Sequence, residues 1–276
     1  MESITVVMAV YNKERADHLY NALQSVTVAQ TLQPQQIILV EDGALSRSLR
    51  AVVNYWQRRL GERMLILKNR QNVGLTKSLN RAITRANGSL IARMDSDDVS
   101  LPDRFERQVR FLRNHPDTAI VGGAIEEFSE DTQKVKVRQY PLTHDKIVGS
   151  IHRHSPLAHP AVMMRRKIFT CGVRYDERCR TSQDIALWFE AIERGWRMAN
   201  IKDVVLRFRC DKSTYARRSA SKAWTEMKIY CRGIHSLYGL ISWRYIYPLC
   251  RFCMRLLPPP IIKLIYRSPI RAMVTR

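Results

Sequence analysis

A chain of 276 residues, 45% hydrophobic and 26% charged, has enough apolar material for a large α/β domain with an appendage and is not generally disordered. Its formal net charge of +21 favours polyanionic partners: nucleic acid, anionic lipid headgroups or phosphorylated substrates. The six cysteines form no regular framework, and only Cys250 and Cys253 make a CxxC with no second pair to complete a zinc site, so reduced thiols are expected.

The first residues carry Glu2 where a secretory leader would be basic, and Asn12, Lys13 and Glu14 cut the apolar run short. No uninterrupted segment reaches the ~20 apolar residues of a spanning helix, so the catalytic part is expected in the cytoplasm. "ITVVMAV" and "QIILVED" read as strands buried on both faces, with a helix between them marked by Ala16, Leu19, Tyr20, Leu23 and Val26. "MLILK" is a third strand, "GLTKSLNRAITRANG" a helix closed by Gly88, and "SLIARMD" a further strand. Pro102 suits the first turn of a helix through "RFERQVRFLR". This alternation predicts a doubly wound, mostly parallel sheet. Ligands of such sheets bind beyond the carboxyl ends of the strands, where Asp42 and Asp95 both stand.

Farther on, "AIVGG" and "KVKVRQY" are short strand signals. In "SQDIALWFEAIERG", Ile185, Trp188, Phe189 and Ile192 share a helical face, Ser182 is placed to cap and Gly195 to terminate. After Leu206 the only acids are Asp211 and Glu226, while Lys and Arg recur to the end. The expected division is a catalytic domain over 1–210, with halves 1–100 and 101–210, and a basic tail over 211–276.

The stretch "MDSDDVS" packs three carboxylates into an otherwise basic chain. A capped polar turn is one reading, and a two-metal nuclease site is another. A calcium loop is excluded, because Val99 and Ser100 stand where oxygen ligands and a central glycine would be needed. The fourth reading is a divalent cation bridging a nucleoside diphosphate, which one or two carboxylates at a strand end can hold. A basic nucleic-acid-binding protein is the rival function, and no recognition motif or zinc-finger spacing supports it.

"VVMAVYNKE", "ILVEDG", "NRQNVGLTKSLNRAITRANGSLIARMDSDD", "HPAVMMRR" and "SQDIALWFEAIERG" occur in an order that resembles the inverting GT-A glycosyltransferases of family 2, the kind that builds bacterial O-antigen and capsule repeat units. The resemblance implies a GT-A fold, a UDP-sugar donor and Mn²⁺ or Mg²⁺ as cofactor. It implies that Asp42 receives the uracil ring, Asp95 lies near ribose and metal, and Asp97 coordinates the metal with Asp98 in support. Further donor contacts are implied from Val10, Tyr11, Asn12, Asn72, Arg93 and Ser96. Arg93 reads alternatively as a salt bridge to the acids.

Asp184 matches the family's catalytic base, although Gln183 stands where the motif has Glu; a helix-dipole carboxylate would sit at the same position. Gln183 and His159 are candidates for the acceptor side, and His159 reads equally as a core histidine. Relatives often carry a His near "LRFRCDKS", where this chain has Cys210. The implied acceptor is an undecaprenyl-diphosphate-linked sugar, and nucleic acid is not an expected partner.

The tail "SWRYIYPLCRFCMRLLPPPIIKLIY" places Arg244, Arg251 and Arg255 on one helical stripe, with Trp243, Tyr245, Ile246, Leu249, Phe252 and Leu256 as a broad apolar surface. Pro248 is expected to bend the helix and Pro258, Pro259 and Pro260 to end it. Such a segment suits an in-plane helix on an anionic membrane, at the cytoplasmic face of the inner membrane. Packing of its aromatics on the catalytic domain is the alternative.

Overall fold

Alternate residues of β1 (Ile4–Val10) enter opposite cores: Val6 and Met8 on one side of the sheet, Val7 on the other. Burial on both faces is what an unbroken β-branched run provides. After α1 (Ala16–Val26) comes β2 (Gln36–Asp42), and after α2 (Arg47–Leu60) comes β3 (Met64–Asn69). Then α3 (Leu75–Ile83) leads to β4 (Leu90–Arg93). These four strands are parallel in the order β3-β2-β1-β4, so Asn69, Asp42, Val10 and Arg93 emerge along one edge. The computed structural model describes residues 2–129, 135–210 and 220–256.

The chain continues through β5 (Val99–Ser100), α4 (Arg104–Asn114), β6 (Thr118–Phe128), β7 (Val135–Arg138) and α5 (His144–Ser150). It follows with β8 (Met163–Arg165), α6 (Lys167–Thr170), α7 (Gln183–Glu193) and β9 (Arg197–Arg209). The nine strands form one sheet, but β8 is antiparallel to β4 and to β6, β5 to β9, and β7 to β6. Among the described residues, only β6–β9 is parallel in this half. The expectation of a mostly parallel sheet therefore holds for the first half alone. Strands of two to four residues such as β5, β7 and β8 carry no periodic signal that would have announced them.

Three local expectations are also corrected. α3 ends at Ile83, and Gly88 serves close approach instead: a Cβ there would meet the Thr5 amide at 2.7 Å. α4 begins at Arg104, leaving Pro102 in the preceding turn. Ser182 makes no capping hydrogen bond and has φ 56°, the only positive φ of a non-glycine among the described residues.

The basic segment folds as α8 (Ala220–Tyr238) and α9 (Ile246–Leu256), a hairpin docked on α7. Gly233 makes this contact possible, since a Cβ at that position would collide with the Phe189 ring. Tyr230 meets the same ring edge-on, with centroids 6.0 Å apart. Tyr238, Trp243 and Tyr247 surround the buried His152, whose pKa burial lowers to about 4. Pro248 lies in the first turn of α9, where no helical amide partner is needed, so the expected bend gives way to one helix.

The arginine stripe is engaged within the hairpin while remaining partly exposed: Arg251 and Arg255 pair with Glu226, and Arg244 lies over Tyr238 at 4.0 Å. Large apolar residues also face outward: Leu240 79%, Ile241 99%, Trp243 57%, Ile246 59% and Leu249 47% exposed. No helix among the described residues is long and apolar enough to cross a membrane. Pro258–Pro260 and "IIKLIY", and the expected boundary near 211, lie outside the described residues.

Candidate active site

The donor side forms where β1 and β2 end. Val10 is buried, Tyr11 half-buried, and Asn12 exposed in the turn that follows. Asp42 accepts hydrogen bonds from Asn69 Nδ2 and the Val73 amide on Oδ1, and from the Gly74 amide on Oδ2, each at 2.9 Å. Its carboxylate thereby holds the 69–74 loop against the sheet edge. Gly43 next to it has φ 92°, and a Cβ there would stand 2.9 Å from the Asn72 amide nitrogen. Only glycine meets both conditions without strain. Asn72 donates to the Asp42 carbonyl at 3.3 Å.

The acidic turn follows β4. Asp95, Asp97 and Asp98 can each offer an oxygen such that all lie within 4.8 Å of one another. Arg93, 1% exposed, binds both oxygens of Asp95, the salt bridge that its alternative reading expects. Arg104 is buried behind it, donating to the Arg93 carbonyl at 2.8 Å and to Val162 O at 3.3 Å. Burial, then repulsion from Arg93, lowers Arg104 to about 9.

Across the turn, the Arg209 amide donates to Asp98 Oδ1 at 2.9 Å and its Nε to the Asp97 carbonyl at 2.8 Å. Thus the end of β9 supports the acidic turn through Arg209. Cys210 is tied by its amide to Phe128 O at 2.8 Å. Ser96 is buried between the acids.

The cluster fits a divalent cation. Asp98 Oδ2 is buried without a hydrogen-bond partner, an arrangement costly to keep unless something binds it. Burial and then Asp95 push Asp97 up to about 6, and burial, Asp95 and Asp97 push Asp98 well above the usual carboxylate range. A cation would offset both causes and keep the acids ionised.

Asp184 occupies the first turn of α7, entered through the left-handed Ser182. Burial raises its pKa, while its helix amides and Arg93 oppose the shift. Ser155 Oγ approaches Asp184 Oδ2 at 3.5 Å. Tyr175, whose backbone is held by Asn80 at 2.9 and 3.1 Å, lies within electrostatic reach of Arg93, Asp184 and Asp95 together. Arg93, paired with Asp95, also acts on Asp184, so the base candidate lies near the acidic cluster.

His159 is buried, with Nε2 2.7 Å from the Tyr175 hydroxyl and its ring edge-on to Trp188. This is a core environment, and burial holds its pKa well below the ordinary imidazole value. Gln183 is also buried. Sequence reasoning missed Arg104, Arg209, Tyr175 and Ser155, none of which carries a local signal. A cavity of about 710 Å³ lined by His115, Thr143, His144, Arg197 and Asn200 lies at the opposite end of β6 and β9 and shares no residue with this site.

Residues 5–172 match the sequence profile of Glycosyl transferase family 2. The chain is 30% identical over 269 residues to UDP-Gal:alpha-D-GlcNAc-diphosphoundecaprenol beta-1,3-galactosyltransferase of Escherichia coli, covering 97% of this chain and 96% of that protein. It is 31% identical over 269 residues to the amylovoran biosynthesis glycosyltransferase AmsE of Erwinia amylovora, covering 96% and 98%.

Among solved structures, S. aureus TarS 1–349 in complex with UDP-GlcNAc aligns with a TM-score of 0.67 at 17% identity, over 99% of this chain and 76% of that one. The mannosyltransferase PcManGT of Pyrobaculum calidifontis, in complex with GDP-Man and Mn²⁺, aligns at 0.66 and 15% identity, over 99% and 83%. At these identities the structural likeness speaks for the fold, a GT-A-like nucleotide-sugar transferase fold with a mixed sheet. With most of its length covered by the profile and by relatives of this kind, the chain belongs to glycosyltransferase family 2 and is a glycosyltransferase.

Proposed function

We propose that the chain is an inverting transferase moving a hexose, galactose or glucose favoured, from a UDP-sugar to an undecaprenyl-diphosphate-linked N-acetylhexosamine in surface-polysaccharide synthesis. The observation that carries this reading is the acidic turn, where Asp95, Asp97 and Asp98 converge, Asp98 Oδ2 is buried without a hydrogen-bond partner, and Arg93, which holds Asp95, also acts on Asp184. The E. coli relative named for a GlcNAc-diphosphoundecaprenol acceptor supports the acceptor class.

In this reading Val10, Tyr11, Asn12 and Asn72 frame the uridine. Asp42 keeps acceptor capacity for the uracil N–H after satisfying its three loop donors. Asp95, oriented by Arg93, and Ser96 contact the ribose. Mn²⁺ or Mg²⁺ held by Asp97, Asp95 and Asp98 would supply Lewis-acid stabilisation to the departing diphosphate.

The acceptor hydroxyl attacks the anomeric carbon from the face opposite the diphosphate. The new C–O bond forms as the bond to the β-phosphate oxygen breaks, and the hydroxyl proton passes to Asp184. Burial makes Asp184 a stronger base than an ordinary carboxylate, which suits that transfer. Gln183, beside it, belongs to the acceptor side.

The exposed apolar residues at the turn between α8 and α9 support docking at an anionic membrane, placed here at the cytoplasmic face of the inner membrane. The test is Asp184→Asn: turnover should fall by ~10²–10⁴-fold while uptake of UDP with Mn²⁺ is kept. Unimpaired turnover, or a product with retained anomeric configuration, refutes the mechanism.

A further inference from the structure

Behind Asp42 lies a chain of hydrogen bonds that the donor contacts do not account for. Asn69, the last residue of β3, stands in register with Asp42, the last residue of β2. Its Nδ2 donates to Asp42 Oδ1 at 2.9 Å and to Ser78 Oγ at 3.0 Å, so both amide hydrogens are committed. Its Oδ1 accepts from Arg81 Nη1 at 2.5 Å, and the same nitrogen donates to the Lys68 carbonyl at 2.7 Å. Ser78 and Arg81 are three residues apart on α3 and so share the face turned to the end of β3. Arginine has no acceptor, which fixes the sense of the Asn69 amide: oxygen toward Arg81, NH₂ toward Asp42.

This chain determines how many hydrogen bonds Asp42 has left to accept. A carboxylate offers about four acceptor positions. Oδ1 uses two of them, on Asn69 Nδ2 and the Val73 amide, and Oδ2 uses one on the Gly74 amide. Among the contacts of the described residues, one position therefore remains, on Oδ2. Uracil fits a single acceptor, since its pairing edge presents one N–H between two carbonyls. Guanine presents two donors side by side, N1–H and the 2-amino group, and the second meets an oxygen already filled. Cytosine presents a bare N3, whose lone pair the carboxylate repels.

We propose that Asn69 and Arg81 are positioning residues for base selection. Arg81 orients Asn69, Asn69 fills Asp42 Oδ1, and the carboxylate is held with one acceptor toward the base. The proposal rests on the reading that Asp42 meets the uracil of a UDP-sugar, and adds the residues that make that contact selective. Without the Asn69 donor, Oδ1 regains an acceptor position and the carboxylate turns about its soft terminal torsion. Base discrimination then falls together with UDP affinity.

The test is calorimetric binding of UDP, CDP, GDP and N3-methyl-UDP to the full chain in Mn²⁺. The four share ribose and diphosphate, so differences between them report the base. Wild-type protein should bind UDP at least about tenfold more tightly than each of the others, the ratio expected of one charge-assisted hydrogen bond. Asn69→Ala should lose most of the UDP:CDP and UDP:GDP ratios. Arg81→Met should lower them less, and Arg81→Lys should keep more of them than Arg81→Met. Arg81 is exposed, so its variants test the relay even if Asn69→Ala fails to fold. The double variant should match Asn69→Ala alone, because Arg81 acts through Asn69.

A purely structural role weakens all four nucleotides in proportion and leaves the ratios unchanged. That result, or additive losses in the double variant, overturns the relay while the uracil contact stands. Wild-type protein indifferent to the N3 methyl group overturns the uracil contact itself, and the relay with it.

Discussion

Without metal, the acidic turn should make the fold more stable as pH falls from neutral. Asp97 titrates at 3.8 in an unperturbed chain and is pushed up to about 6 in the fold, by burial and then by Asp95. A carboxyl raised in the folded state keeps a proton that the unfolded chain has already released. Stability is therefore lost as pH rises through that window and regained as it falls. From pH 7 to pH 5 the Asp97 contribution integrates to about 1 kcal/mol. For a chain of this size that is about 2–4 °C in Tm.

The buried Asp98, shifted in the same direction, adds to the effect. The assay is thermal unfolding in EDTA at pH 7, 6 and 5, with wild type compared against Asp97→Asn so that titration elsewhere cancels. The Tm difference between the two proteins should move in favour of wild type toward pH 5. Saturating Mn²⁺ should raise the wild-type Tm at pH 7 and abolish the pH trend. A difference that stays flat across the range would refute the account of a crowded, desolvated carboxylate cluster.

Gly43→Ala should destabilise the donor loop by about 1–3 kcal/mol through its left-handed backbone, and weaken UDP binding; urea unfolding and calorimetry read both. Gly233→Val forces a branched side chain into the Phe189 ring and should cost about 1–3 kcal/mol. Limited proteolysis should then cut within 220–256 before the rest of the chain. Ile241→Asp with Leu240→Asp should abolish flotation with phosphatidylglycerol vesicles and leave UDP binding intact; undiminished flotation would show that the hairpin tip is not the docking surface.

The parallel half of the sheet and the positions of Asp42, Asp95 and Asp184 were legible in the sequence. Strands buried on both faces need continuous apolar runs, and helices covering them need a 3.6-residue period, so both signals are local. The acidic turn is legible for the same reason: its residues are contiguous.

Other features arise from contacts between residues far apart in the chain. Strand β8 slots antiparallel between β4 and β6 with only three residues, too few to show a period. Arg209 reaches Asp97 and Asp98 across more than a hundred residues, and the Tyr175 hydroxyl meets His159 from a loop without secondary structure. The tail shows the division most plainly. Its amphipathic composition could be read directly, but which face stays uncovered depends on Glu226 pairing with Arg251 and Arg255 and on Gly233 admitting Phe189. Composition sets how much apolar surface a helix has; only packing against its neighbours decides which part of it remains uncovered.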